Sequence, residues 1–293
     1  MLRLFLLLPE VAVALAVARC NGVPWPDRCE DFESARARSE RFLYENMPPW
    51  DVLNNGTYAL GLVPASVDHA LQVRKNFSWA AQVPEDVWMD YVVPYANVNE
   101  ARSNWRPLLF DALSLSDDQK SLSEVAVLVN ERVWSALRPE KPIYFKSSQT
   151  PLIFDTMSAI AFGFASCTGL SILYVDALRS VGVPARLVGT PAWHGKAADG
   201  NHNWVEIWLG PKAGLKGGDW TFIEGSPAGP GEKLLEPCDK WFCNPSHFDG
   251  HTETYAAKFK KGGLHYPMSW DLANHGIPGI NQTDFYNEIC GKC

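Results

Sequence analysis

The sequence lacks an excess of basic residues, internal repeats, low-complexity tracts and long internal hydrophobic runs. Its 26 lysines and arginines are outnumbered by 33 aspartates and glutamates, which gives a formal net charge of −7. Because phosphate backbones are bound by clustered positive charge, this balance argues against nucleic acid as the main partner. No internal stretch reaches the roughly 20 apolar residues of a membrane span, so no stable membrane insertion is expected. A hydrophobic content of 46% predicts a packed globular core.

The N-terminal residues 1–18, MLRLFLLLPEVAVALAVA, have the features of a secretory signal. One basic residue, Arg3, precedes a mostly apolar region, and Ala16-Val17-Ala18 fits the small-x-small cleavage pattern. A short membrane anchor is the alternative for this segment. Glycosylation sequons begin at Asn55, Asn76 and Asn281. We therefore expect a signal peptide at residues 1–18 and a secreted, glycosylated mature protein.

The cysteines point to the same compartment. Removal of the signal leaves seven, of which six lie near the two ends of the mature chain: Cys20, Cys29, Cys238, Cys243, Cys290 and Cys293. In an oxidising compartment six cysteines can form three disulfides, whose connectivity the spacing leaves open. The terminal C-x-x-C pair lacks a thioredoxin-like setting, so a structural disulfide is favoured over a redox role. The seventh cysteine, Cys167, is left over as a free thiol, a further disulfide partner or an inert buried residue.

Apolar periodicity divides the chain into a helical first half and a mixed second half. Helices are predicted over residues 30–46, 67–75 and 122–137, with proline-bounded turns at Pro64, Pro84, Pro94 and Pro107. The clearest helix begins at Cys167 and ends at Gly182. Strands are predicted over residues 184–189, 202–209 and 219–224, and these can pair as an antiparallel sheet.

The position of Cys167 at a helix N-terminus favours reactivity. The partial positive charge there lowers the pKa of a thiol, and the unpaired backbone N–H groups can bind an oxyanion. A thiolate that attacks an amide also needs a proton donor for the leaving amine, and His202 on the next strand is the first choice. A third group should orient the imidazole. Two acids compete, Glu224 and Asp219, which point to opposite faces of their strand.

Other interpretations of these residues stay open. His202 can be a structural histidine bonded to the backbone. His194, Asp199 and His202 together can be considered as a metal site, but their spacing fits no zinc pattern, so neither a metal nor a cofactor is expected. Gln149 and Trp134 are possible second oxyanion donors.

Three stretches, SCTGLSILYVDALRSVGVPARLVG, DGNHNWVEIW and DWTFIEGSP, resemble the core of the transglutaminase-like superfamily. In that family a nucleophilic cysteine begins a helix, a GIPAR-type strand follows, then a His-x-Trp strand, then a Trp-x-x-x-Asp strand. The matching positions are Cys167, residues 183–186, His202 with Trp204, and Trp220 with Glu224. The chain departs from the pattern at Glu224, where the family usually has aspartate; glutamate keeps the hydrogen-bonding capacity with one more methylene.

The resemblance implies a papain-like α+β fold and a Cys167, His202, Glu224 triad, with Asp219 as the alternative third residue. It also implies acyl transfer or amide hydrolysis on a protein or peptide substrate without a required cofactor. A catalytically inactive binding or scaffold domain is the alternative function. We divide the chain into the signal peptide, a mainly helical region at 19–145, a transglutaminase-like core at 146–260 and a C-terminal tail at 261–293 that carries disulfide cysteines.

Overall fold

A computed structural model describes residues 32–53, 57–118, 120–151, 153–261, 265–267 and 276–293. The predicted signal peptide, Cys20, Cys29 and Asn55 lie outside the described residues. The first half of the chain is helical, as expected. Its helices are α1 Phe32–Asn46, α2 Pro49–Leu53, α3 Thr57–Asn76, α4 Ser78–Ala81, α5 Glu85–Tyr91, α6 Trp105–Leu113 and α7 Leu122–Ala136.

Two prolines lie in helices and not in the predicted turns. Pro64 is inside α3, so the helix predicted over 67–75 is too short. A proline in a helix loses one backbone hydrogen bond, but α3 buries Val63, Val67 and Leu71 in the core, and this burial outweighs the loss. Pro107 lies in the first turn of α6, where backbone N–H groups have no helical partner in any case.

The second half of the chain combines helices with an antiparallel sheet, which confirms the predicted α+β class. The helices are α8 Thr156–Phe162, α9 Cys167–Ser180 and α10 Thr283–Cys290. The strands are β1 Tyr144–Phe145, β2 Phe164–Ala165, β3 Ala185–Thr190, β4 His202–Trp208, β5 Trp220–Ile223, β6 Tyr255–Ala257, β7 His265–Tyr266 and β8 Ile277–Asn281. The main sheet has the order β5-β4-β3-β6-β8-β7, and all of its neighbours are antiparallel. Strands β1 and β2 form a separate parallel pair.

The main sheet is covered on both faces. Helix α9, buried along almost its whole length, packs with Leu170 and Leu173 in the same hydrophobic cluster as Val205 and Ile207 of β4. Trp204 of β4 belongs to a second cluster, together with the aromatic residues Phe222, Phe242 and Tyr286. Because successive side chains of a strand point to opposite faces, β4 is buried on both sides.

A buried polar network connects α9 to the segment around residue 97 and to the start of β3. Asp176 accepts hydrogen bonds from Asn97 Nδ2 at 2.9 Å and from Thr156 Oγ1 at 2.6 Å. Burial raises the pKa of Asp176 to about 7. Arg179 donates to the carbonyl of Ala96 at 3.0 Å, and its guanidinium also bonds the carbonyl of Ala185 at the start of β3. The irregular segment around residue 97 is thereby tied to the helix that carries Cys167.

Two disulfides link the segment before β6 to the C-terminus: Cys238–Cys293 and Cys243–Cys290. Two of the three expected disulfides are therefore present among the described residues, and the C-x-x-C cysteines bond to other partners, not to each other. Asn76 and Asn281 of the predicted sequons are exposed. No helix among the described residues has the length and apolarity to cross a membrane.

The predicted domain boundaries stay predictions. Strand β1 pairs with β2 across the boundary at 145/146, and β6 pairs with β8 across the boundary at 260/261. The described part of the C-terminal segment therefore contributes two strands, β7 and β8, to the main sheet.

We expect the double substitution Cys243→Ala/Cys290→Ala to lower the free energy of unfolding by about 2–4 kcal/mol, because the unfolded chain regains the entropy of an open loop. Chemical denaturation under non-reducing conditions measures the change. Added reductant should destabilise the wild-type protein more than the variant, which has one disulfide fewer to lose. Identical denaturation midpoints for the two proteins would contradict this expectation.

Candidate active site

Cys167 is the first residue of α9 and the free cysteine among the described residues. Its side chain is half-buried. Ser166 is the N-cap residue, yet its side chain makes no capping hydrogen bond in the described structure. The first intrahelical bond runs from Leu170 N–H to Ser166 O at 2.9 Å. The earlier N–H groups of α9 are thus available beside the thiol for a ligand with negative charge.

His202 and Glu224 meet next to this helix terminus. His202 is the first residue of β4, and Glu224 follows the last residue of β5. His202 Nε2–H donates to Glu224 Oε1, and both side chains are buried. Since Nε2 is occupied by the carboxylate, Nδ1 is the ring nitrogen that can exchange a proton with the thiol.

The alternative third residue, Asp219, does not meet His202. It is exposed, and its carbonyl accepts the N–H of Leu209 at 2.9 Å, so it lies at the opposite end of the β4–β5 pair. Leu209 lies seven positions after His202, which corresponds to about 23 Å along an extended chain. The strand register therefore excludes Asp219 and favours Glu224 as the partner of the imidazole.

The pKa values of Cys167 and His202 are shifted in opposite directions. Burial raises the pKa of Cys167, but the hydrogen bond and the positive charge of His202 outweigh burial and lower that pKa below its ordinary value. Burial lowers the pKa of His202, but the hydrogen bonds and negative charges of Cys167 and Glu224 dominate and raise it to about 9. Thiolate and imidazolium consequently stabilise each other in this site.

Asn203 completes the site, although sequence reasoning did not select it. Its backbone N–H bonds the sulfur of Cys167 and contributes to the lowered pKa. Its side chain accepts from Thr168 Oγ1 at 2.8 Å and donates to Val188 O at 3.1 Å. A Cβ at position 189 would overlap the Asn203 amide and lie 2.6 Å from His202 O, so Gly189 leaves the space that Asn203 occupies. One sequence feature could have pointed to Asn203. It is an asparagine that directly follows the histidine and lies opposite a glycine in the preceding strand.

The two suggested oxyanion donors each make a local hydrogen bond in the described structure. Trp134 is buried, and its Nε1–H donates to Asn130 O at 2.5 Å. Gln149 is exposed, and its Oε1 accepts from Lys146 Nζ at 2.6 Å. The Trp134 N–H is thus already occupied, whereas the Gln149 contact uses its oxygen and not its N–H groups, so Gln149 as an oxyanion donor stays a prediction.

The suggested metal-ligand set does not converge either. His194 bonds Asp199 through Nδ1 at 2.8 Å and Ser246 O through Nε2 at 2.6 Å. His202 is occupied by Glu224 instead. Among the described residues no group of three histidine, cysteine or acidic side chains is arranged to hold a metal ion.

Aromatic side chains surround the imidazole of His202. The ring of Trp241 lies 4.7 Å from it between centroids, that of Phe242 lies 5.2 Å away, and that of Trp193 is stacked at 6.3 Å. These rings exclude water from the imidazole, which strengthens its interaction with Glu224.

A comparison with protein-family models matches the part of the chain that carries the reacting side chains. Residues 115–224 match the model of the transglutaminase-like superfamily. These residues form a transglutaminase-like domain. The matched range contains Cys167, His202 and Glu224, and it begins upstream of the predicted core, so that it also includes α7.

Two solved structures are similar to this chain at low sequence identity, over the transglutaminase-like domain and residues beyond it. A candidate cysteine protease from Cytophaga hutchinsonii is 11% identical with a TM-score of 0.36, and the alignment covers 70% of this chain and 66% of that chain. Red sea bream transglutaminase is 10% identical with a TM-score of 0.42, covering 70% of this chain and 45% of that chain. The chain thus spans less than two thirds of the length of both proteins. No curated protein matches the chain in sequence.

We expect Gly189→Ala to displace Asn203 and the start of β4. The added methyl group has no space between the Asn203 amide and the backbone of His202, so the substitution should cost about 1–3 kcal/mol of stability. It should also slow alkylation of Cys167 by iodoacetamide. Gly61→Ala, at a helical position where nothing lies within 4 Å of the new Cβ, is the matched control and should be neutral or stabilising. Equal alkylation rates for both variants would refute the role given to Gly189.

Proposed function

We propose that the chain is a secreted thiol enzyme that forms an acyl-thioester on Cys167 from a carboxamide or peptide substrate. The observation that carries this proposal is the meeting of Cys167, His202 and Glu224 at the uncapped N-terminus of α9. A transglutaminase-like domain over residues 115–224 supports it. The two disulfides fit an oxidising compartment.

In the first step the Cys167 thiolate attacks the carbonyl carbon of the substrate. A C–S bond forms, and the carbonyl oxygen becomes an oxyanion that the free N–H groups at the start of α9 can stabilise. Collapse of this intermediate breaks the C–N bond, and His202 transfers its proton to the leaving amine or ammonia. Glu224 keeps the imidazole in the orientation and tautomer that this transfer needs.

In the second step the thioester reacts with water or with an amine. Neutral His202 accepts a proton from the incoming nucleophile, the C–S bond breaks, and the thiolate is restored. Water gives hydrolysis, whereas the amine of a lysine side chain gives a crosslink. Because the geometry of the three side chains serves both fates equally, the experiment below scores them in parallel.

We expect Cys167→Ala to abolish turnover of glutamine-containing peptides, and Glu224→Gln to reduce kcat/KM by about 10²–10⁴-fold, because the imidazole loses the charge that supports its protonation. Ammonia release measures total reaction, and incorporation of a labelled amine measures transfer. Glu288→Gln is the matched control, since Glu288 is exposed and bonds only to surface lysines in the described structure.

Equal rates for wild type and Cys167→Ala on a library of glutamine-containing and cell-wall peptides would end this proposal. An inactive wild-type protein whose Cys167 also alkylates slowly would instead support the binding or scaffold alternative.

We expect a bell-shaped dependence of kcat/KM on pH. The rate should rise as Cys167 ionises, below the ordinary pKa of a thiol, and fall near pH 9 as His202 loses its proton. Glu224→Gln should move the basic limb to lower pH, since the carboxylate charge that raises the His202 pKa is gone. A basic limb that is identical in wild type and Glu224→Gln would show that Glu224 does not support His202.

A further inference from the structure

Trp241 is a surface residue with an unusual set of contacts. Its side chain is 51% exposed, yet its Nε1–H donates to Glu224 Oε1 at 2.9 Å. Its ring lies 4.7 Å from the imidazole of His202 between centroids, at an interplanar angle of 56°. One indole thus contacts both members of the charge pair that activates the thiol.

The carboxylate of Glu224 depends on this contact. Glu224 is only 2% exposed, and its Oε1 accepts from His202 and from Trp241. Its Oε2 is buried and has no hydrogen-bond partner among the described residues. A buried carboxylate is stable only when its charge is paired and hydrogen-bonded. Trp241 therefore supplies one of the two donors that stabilise this charge in the described structure.

The backbone around Trp241 is held firmly although the side chain is exposed. The disulfides Cys238–Cys293 and Cys243–Cys290 anchor the chain on both sides of it. Asn244 Nδ2 donates to Trp241 O at 2.7 Å, and the neighbouring Phe242 is buried and stacks on Trp204 at 4.5 Å. An indole on such a fixed segment can hold a partner in place at little entropic cost.

We infer that Trp241 is a positioning residue of the active site, which holds Glu224 through its indole N–H and covers one side of His202. The inference rests on the proposed function, because it assigns a role in that reaction. It adds a residue from outside the transglutaminase-like domain of residues 115–224 to the site. The site is accordingly complete only when the segment between the disulfide cysteines Cys238 and Cys243 is folded against it.

Loss of the indole N–H has a defined electrostatic consequence. The titratable groups that interact with His202 are Cys167 on α9, Glu224 after β5 and His247 in the loop beside Trp193. Without the indole donor, the full charge of the Glu224 carboxylate acts on the imidazolium. The imidazolium then holds its proton more tightly, and it donates that proton less readily to a leaving amine.

The test compares Trp241→Phe, which keeps an aromatic ring but removes the N–H, with the matched control Trp50→Phe. Trp50 packs against a hydrophobic cluster that contains none of the three reacting side chains, and its buried N–H has no partner in the described structure. NMR titration of His202 gives its pKa without any substrate. We expect an upward shift of the midpoint and a loss of about tenfold in kcat/KM for Trp241→Phe only.

A measurement on the wild-type protein covers the case in which Trp241→Phe fails to fold. The indole N–H resonance of Trp241 should shift with the same midpoint as His202, whereas that of Trp50 should not. An unchanged His202 midpoint in folded Trp241→Phe, or a Trp241 resonance that is insensitive to the titration, would overturn the inference. Absence of turnover in the wild type, with the midpoint shift still present, would count against the proposed function and leave the coupling intact.

Discussion

The hydrogen bond between His202 and Glu224 in a buried site is the interaction on which the arrangement around Cys167 depends. Burial alone would favour neutral side chains, since desolvation penalises each charge. The carboxylate, the imidazolium and the thiolate become favourable together because each is a partner for the next. This mutual dependence explains why the pKa of His202 rises and that of Cys167 falls in the same low-dielectric surroundings.

Much of the surrounding fold holds Cys167, His202 and Glu224 close to one another. The Asp176 network fixes α9 from behind, and the close approach at Gly189 lets Asn203 bridge from β4 to the helix. The N-terminus of α9 has no side-chain cap in the described structure, so its first N–H groups stay beside the Cys167 thiol. The stability of the core and the chemistry of the site thus share the same residues.

The C-terminal segment is connected to the site, although it lies far from Cys167 and His202 in the sequence. Strand β8 joins the main sheet, and two disulfides connect α10 and the residues after it to the segment that carries Trp241. The aromatic rings of this segment shield His202 from water, which strengthens the electrostatic coupling within the site. One stretch of backbone, residues 238–243, thus carries both the disulfide cysteines and the Trp241 contact with Glu224.

The sequence by itself determined the local features: the helix that begins at Cys167, the alternating strand that begins at His202, and the α+β class. These follow from periodicity and from short motifs, which act over a few residues. The family resemblance already favoured Glu224 over Asp219, and the strand register supported that choice. The contacts of Asn203 and of Trp241 were decided by the tertiary structure. Three features bring these groups together: the strand register, the space left by Gly189 and the pairing of distant cysteines. Each of these features depends on residues that lie far apart in the sequence, so no local pattern encodes it.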